Sequence, residues 1–312
     1  MKRIYVYIVL GLLVISCNNN SYLNYYKEHS EITDPGKYGY MYKNLPSNIY
    51  DITKSIQGLI LHVAFIKPNG IDSLEKDKIG FSLRKMEDIL EKIHHIDSSG
   101  ILVEREPKDR LIVFCRHYAV FLCSVLRHKG LPARVRVGYA TYLRPGLYEN
   151  HWICEYWDFE RERWIQVDAQ IDTLQREIMD IGFNTLELPP GEFIPAGLAW
   201  QMCRNNEEFP EKFGVGDRNK FNIGGFDFII NDVFCDLRAL NKDELLPSDG
   251  NLNIKKKYTD YNENEIELID KISQLTMNID NSFSQIRELY SSDNRCRLPE
   301  DFDCENTLTG EN

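Results

Sequence analysis

The sequence lacks basic stretches, a membrane-length apolar run, internal repeats and metal-ligand spacings. Its 37 Lys and Arg residues are outnumbered by 48 Asp and Glu residues, so the net charge is −11. No run of basic residues is present that could follow a phosphate backbone, which excludes nucleic acid as an expected partner. The pair His94-His95 has no Cys, Glu or further His at a ligand spacing, so neither a metal nor a cofactor is predicted.

The first residues have the layout of a signal peptide. Lys2 and Arg3 precede an apolar run from about Ile4 to Ile15, which is far below the roughly 20 residues that span a bilayer. Val14-Ile15-Ser16-Cys17 resembles the lipobox of bacterial lipoproteins. We therefore expect residues 1–16 to be a removed lipoprotein signal peptide and Cys17 to carry a lipid that anchors the protein to a membrane. The alternative is an uncleaved anchor or a chance cysteine.

Export changes the expectation for the other cysteines. The chain has eight, and assigning Cys17 to a lipid leaves an odd number, so at least one thiol is unpaired unless an intermolecular disulfide forms. Cys296 and Cys304 could close a small loop in the polar tail, although spacing alone does not establish a disulfide. The expected location is the bacterial cell envelope, either periplasmic or exposed at the surface.

Composition divides the remainder of the chain into three parts. Residues 17–45 are polar and rich in tyrosine, and we interpret them as a tether that becomes an N-terminal arm. Residues 46–250 are expected to form the main domain, and residues 251–312 a polar helix and tail. Apolar residues recur at helical spacing over 49–65 and again over 81–96, which predicts two amphipathic helices.

The central block, residues 110–172, predicts an α+β arrangement. Residues 114–129 have the pattern of a helix that ends at Gly130, a residue suited to a left-handed C-terminal cap. Residues 134–139, 151–157 and 164–168 alternate with the period of β-strands. A helix followed by an antiparallel meander is typical of an α+β fold.

Cys115 lies on the apolar face at the start of the predicted helix. The unpaired N–H groups and the positive dipole of the first turn favour a thiolate, and the neighbouring Arg116 adds positive charge. A cysteine in this setting can be a nucleophile. The alternative is a small buried hydrophobic residue, as we interpret Cys123 and Cys154.

A predicted hairpin brings a histidine and an aspartate together. A four-residue loop over 158–161 would pair Trp157 with Glu162, and the same register places His151 directly opposite Asp168. A neutral His151 oriented by the carboxylate could take a proton from a thiol. A register shifted by one residue would separate the two side chains, and the alternative for His151 is a structural strand histidine.

These residues lie in motifs that resemble the bacterial transglutaminase-like superfamily, a branch of the papain-like cysteine enzymes. The motifs are Cys115-Arg116-His117-Tyr118-Ala119, the stretch from Arg127 to Arg134, Val137-Gly138-Tyr139, His151-Trp152, and the stretch from Trp164 to Asp168. The resemblance implies Cys115 as nucleophile, His151 as general base and Asp168 as the residue that orients the histidine. It also implies a nucleophile-bearing helix packed on an antiparallel β-sheet that carries His and Asp.

A weaker resemblance extends beyond the core. Phe193 to Trp200, Phe213-Gly214 and Asp236 to Lys242 are similar to a bacterial lipoprotein subgroup with its own C-terminal extension. The sequence departs from the family at Val113-Phe114, where many members carry glycine immediately or two residues before the cysteine. This bulk could narrow access to the thiol.

The function implied is acyl transfer or hydrolysis at a carboxamide or peptide bond, as in a cysteine protease, an amidase or an amidotransferase. Cys115 would form an acyl-enzyme that water or an amine resolves. The substrate would be a peptide or protein, and the envelope location makes peptidoglycan peptides candidates. The alternative is a non-catalytic envelope binding or scaffold protein that retains the fold. The sequence does not indicate an oligomeric state.

Overall fold

The computed structural model describes residues 22–216, 223–252 and 256–298, and these form helices on both faces of an antiparallel sheet. The helices are α1 over residues 22–27, α2 (Ile49–Gln57), α3 (Met86–Ile96), α4 (Cys115–His128), α5 (Thr173–Ile178), α6 (Ala196–Arg204), α7 (Phe226–Leu240), α8 (Glu263–Met277) and α9 (Ile279–Ser292). The strands are β1 (Ile60–His62), β2 (Leu111–Val113), β3 (Ala133–Ala140), β4 (Tyr148–Asp158), β5 (Arg163–Val167), β6 (Phe193–Pro195) and β7 (Phe213–Gly214).

The main sheet has the order β5-β4-β3-β6, with antiparallel neighbours throughout, and β7 pairs with β4 in parallel. Strand β3 is buried on both faces. Val135 and Val137 belong to the apolar cluster around α4, whereas Arg134 and Arg136 lie on the opposite face, where Arg136 pairs with a side chain of α7. The predicted α+β core, in which the helix that begins at Cys115 packs on an antiparallel sheet, is confirmed.

The limits of helix α4 agree with the predicted ones to within one residue at each end. It begins at Cys115, and every residue from Arg116 to Arg127 is buried. It ends where Gly130 adopts a φ of +76°, a left-handed conformation that residues with a Cβ rarely adopt. The backbone N–H of Leu131 then donates to the Leu126 carbonyl at 3.0 Å, which closes the C-terminal cap and turns the chain into β3.

Two helix predictions are wrong in extent. The helix predicted over 49–65 ends at Gln57, because residues Ile60–His62 form strand β1 and pair in parallel with β2. Strand pairing overrode the helical periodicity there. The helix predicted over 81–96 begins only at Met86. In the C-terminal region the predicted polar helix is present as α8, and a second helix, α9, follows it.

The described part of the N-terminal arm packs against the rest of the protein. Tyr26 is fully buried, and its hydroxyl donates to the Leu240 carbonyl at 2.9 Å at the end of α7. The predicted signal peptide, Cys17 and Cys304 lie outside the described residues. Cys296 is a buried free thiol. The predicted domain limits stay predictions, and in the described segments no helix is long and apolar enough to cross a membrane.

A buried ionic cluster joins the sheet to α7. Arg136 donates from two nitrogens to the two carboxylate oxygens of Asp236, at 2.9 Å each, and Asp236 also accepts the Val137 backbone N–H at 2.9 Å. Glu155 on the neighbouring strand accepts from Arg134 at 2.7 Å and from Arg136 at 3.4 Å. These charges are out of water, so each needs its partner.

We expect Asp236→Ala to lower the free energy of unfolding by about 3–5 kcal/mol, because Arg136 would stay buried with only a shared contact to Glu155 and a bond to the Thr276 carbonyl. Denaturant unfolding followed by circular dichroism measures this loss. The exposed pair Arg161–Glu187 provides a control, since Arg161→Ala should leave the midpoint almost unchanged. Equal losses for the two variants would contradict the role of the Asp236 carboxylate.

Candidate active site

Cys115 is the first residue of α4, directly after strand β2. The strand holds the backbone extended up to Phe114, and the helix then begins, so the thiol lies at the positive end of the helix dipole. The Phe114 backbone N–H donates to Nδ1 of His117 at 3.3 Å, which caps the turn. Cys115 is partly exposed, whereas the other described cysteines are buried.

The bulky residues before the cysteine are engaged in packing. Val113 is fully buried in β2, next to β1. The Phe114 ring stacks on Phe81 with ring centroids 4.5 Å apart. Cys115 keeps exposed surface beside them, so the expected narrowing at Val113-Phe114 does not bury the thiol.

Arg116 does not have the role that the sequence suggested. Its guanidinium is fully buried and donates to the backbone carbonyls of Leu83, Arg84 and Glu244. These bonds fix the start of α4 to the segments before α3 and after α7. Arg116 therefore positions the helix by bonding to carbonyls, rather than serving as a free positive charge beside the thiol.

The hairpin that carries His151 has a different register from the predicted one. Trp157 pairs with Trp164 and Cys154 with Val167, which shifts β5 by two residues relative to the prediction. His151 is therefore not directly opposite Asp168. Because side chains alternate with a period of two, a shift of two residues keeps both on the same face of the sheet. Asp168, just beyond the end of β5, reaches His151 diagonally.

The structure brings Cys115, His151 and Asp168 together. Nε2 of His151 lies 2.8 Å from Oδ2 of Asp168, and both residues are buried. Cys115 lies near enough to His151 to help raise the pKa of the imidazole. Since Nε2 is engaged by the carboxylate, Nδ1 is the nitrogen available to the sulfur.

The sequence did not predict the second partner of the carboxylate. The Tyr142 hydroxyl donates to Oδ2 of Asp168 at 2.7 Å, and the Gln170 backbone N–H donates to Oδ1 at 2.9 Å. The Tyr142 ring also stands edge-on to His151, with centroids 6.4 Å apart. Tyr142 follows β3 in a loop, where neither periodicity nor motif marks it, so only tertiary contact reveals this role.

The charges in the site favour a protonated histidine. Burial lowers the pKa of His151, but the Asp168 carboxylate and the contact with Cys115 outweigh it and raise this pKa to about 10. Burial alone would raise the pKa of Asp168, yet the His151 charge and the hydrogen bonds from His151, Tyr142 and the Gln170 N–H lower it. The direction of this pKa shift favours the charged form of an imidazole that was expected to be neutral.

No metal-binding arrangement was found in the parts of the chain that the structure describes, where no cluster of three or more His, Cys, Asp or Glu side chains could hold an ion.

Parts of the chain are similar to known proteins. Residues 112–169 match the model of the transglutaminase-like superfamily. A crystal structure of a proposed cysteine protease from Cytophaga hutchinsonii is similar at 17% identity with a TM-score of 0.32, over 55% of this chain and 44% of that one. The chain thus spans less than half the length of that protein. Comparison with curated proteins gives no match.

The family match begins in β2, includes α4 and the meander, and ends one residue after Asp168. It therefore contains Cys115, His151 and Asp168. Membership in a lipoprotein subgroup stays a prediction. Over residues 112–169 the chain is therefore similar to the transglutaminase-like superfamily, as the sequence motifs predicted.

Proposed function

We propose that this protein is a thiol enzyme that transfers or hydrolyses acyl groups at a carboxamide or peptide bond. The observation that carries the proposal is the placement of the partly exposed Cys115 near His151, whose Nε2 lies 2.8 Å from Oδ2 of Asp168. A purely structural cysteine would not need exposed surface near a histidine that a carboxylate holds. A cysteine with only a packing role does not require the charged His151–Asp168 pair nearby.

The chemistry follows from the charge distribution. The Cys115 thiolate attacks the carbonyl carbon, a C–S bond forms, and the carbonyl electron pair moves to the oxygen. When the oxyanion collapses, the C–N bond breaks and His151 gives its proton to the leaving nitrogen. His151, now neutral, then takes a proton from water or an amine that attacks the thioester, and the C–S bond breaks to return Cys115 as the thiolate. Asp168 holds the imidazole in orientation and stabilises its charged form.

The substrate class is proposed from the expected location. If Cys17 is lipidated, the site works in the cell envelope, where peptides and proteins, including peptidoglycan peptides, are within reach. Hydrolysis and transamidation differ only in the acceptor that resolves the thioester. The products therefore distinguish an amidase or protease from an amidotransferase.

Incubation with muropeptides and with glutamine-containing peptides, in the presence and absence of a primary amine, tests the activity. Mass spectrometry separates peptide cleavage, loss of ammonia and incorporation of the amine. We expect turnover in the wild type and a loss of about 10⁴-fold or more in Cys115→Ala, because the nucleophile acts as one unit with His151.

Alkylation by iodoacetamide provides a readout that needs no substrate. The native protein should be labelled first at Cys115, and His151→Ala should slow labelling at pH 6–7, where the imidazolium stabilises a thiolate. The buried Cys203 supplies the matched control, since Cys203→Ala should leave labelling of Cys115 unchanged. If Cys115 in the wild type reacts only near pH 8.5 and His151→Ala makes no difference, the enzymatic proposal is wrong.

Asp168→Asn should lower the pKa of His151, because burial, which lowers this pKa, would no longer be opposed by the carboxylate. In the wild type the pair contributes fully to stability below the unfolded histidine pKa, near 6.5, provided Asp168 is ionised. That contribution is lost as the pH rises through about 10.

The difference in unfolding free energy between wild type and Asp168→Asn should therefore shrink between pH 7 and pH 10. Histidine-selective NMR titration gives the His151 midpoint directly. Tyr142→Phe, which removes one donor to the carboxylate and keeps both charges, should have a smaller effect. A His151 midpoint that is the same in wild type and Asp168→Asn would refute the assignment.

Lipid anchoring is a separate proposal with its own test. Cells grown with a fatty-acid probe should label the wild-type protein, and Cys17→Ser should abolish the label and release the protein from the membrane fraction. Cys304→Ser, at the other end of the chain, is the control that should keep both. Equal labelling of wild type and Cys17→Ser would rule out a lipid at this position.

A further inference from the structure

His62 is placed beside the nucleophile by the small parallel sheet. It is the last residue of β1 and lies next to Val113, the last residue of β2. Parallel strands end at the same edge of a sheet, so His62 lies where the chain turns into α4 and presents Cys115. This placement was not predicted, because the residues of β1 were expected to be part of a helix.

The backbone fixes which nitrogen of His62 carries a proton. Nδ1 accepts the Ala64 backbone N–H at 3.2 Å, so in the neutral ring the hydrogen is on Nε2. Nε2 has no hydrogen-bond partner among the residues that the structure describes, and His62 is partly exposed. The ring therefore has one N–H donor without a partner among the described residues, on the residue that ends β1 beside Val113.

The electrostatics restrict His62 to this neutral form. Burial of the ring and the positive charge of His151 lower its pKa, Asp168 raises it, and the resulting pKa is about 3. At neutral pH it cannot act as a proton donor in acid–base chemistry, but it can donate a hydrogen bond.

We propose that Nε2–H of His62 donates a hydrogen bond to the carbonyl oxygen under attack, together with the backbone N–H of Cys115. This inference rests on the proposed function. As the thiolate of Cys115 adds to the carbonyl carbon, the electron pair moves to the oxygen, and two N–H donors would face that charge. The Cys115 N–H is available because the first residues of a helix lack intrahelical acceptors.

The test uses two reactions of the same thiol. Alkylation by iodoacetamide displaces iodide at a saturated carbon and forms no oxyanion, whereas acetylation by p-nitrophenyl acetate passes through one. Mass spectrometry locates each product at Cys115, and the p-nitrophenolate burst gives the acylation rate. A loss of oxyanion stabilisation must slow acetylation and leave alkylation unchanged.

Two substitutions of His62 distinguish the roles of its two ring nitrogens. His62→Asn retains an acceptor for the Ala64 N–H but lacks the distal donor, so we expect alkylation at the wild-type rate and acylation slowed by about 10²- to 10³-fold. His62→Gln has a donor that reaches further, and we expect it to recover part of this loss. His95→Asn, on the exposed side of α3, is the matched control and should change neither rate.

The outcomes are distinct. Normal acylation in His62→Asn overturns the inference while leaving the proposed function intact. Equal slowing of both reactions also overturns it, because His62 would then act on the thiolate or on the fold, which thermal unfolding of the variant reveals. If wild-type Cys115 is alkylated but never acylated, the proposed function fails, and this inference fails with it.

Discussion

Helix α4 has no face in contact with water along Arg116–Arg127, and this burial is the constraint on which the rest of the structure depends. Its apolar residues pack against the sheet and against α2 and α3. Its two arginines are out of water, so each needs hydrogen-bond acceptors within the protein. Arg116 donates to backbone carbonyls, and Arg127 donates to the buried Glu244 at 2.8 Å. A helix held on all sides presents its first residue, Cys115, in one position.

The site consequently draws on segments distant in the chain. Strand β2 delivers Cys115, β4 delivers His151, the end of β5 delivers Asp168, and the loop after β3 delivers Tyr142. The ionic cluster on the opposite face of the sheet secures β3 and β4 to α7. Buried charge thus stabilises both faces of the layer that carries the histidine, and this limits the movement of the imidazole relative to the sulfur.

The hairpin shows why part of the site was predictable despite an error. The predicted register was wrong by two residues, yet His151 and Asp168 still share a face because alternation repeats every two residues. A shift of one residue would have destroyed the site. The small strand β1 was missed because Leu59-Ile60-Leu61 continues a helical spacing, and only pairing with β2 makes it a strand.

The sequence by itself determined the α+β core, the limits of α4 and the identity of Cys115, His151 and Asp168 as one constellation. These follow from local periodicity, a glycine cap and specific motifs. Only the tertiary structure decided the protonation of His151, the bonding of Arg116, and the proximity of Tyr142 and His62 to the site. The reason is physical, since pKa values and hydrogen-bond partners depend on burial and on distances between segments that no local pattern contains.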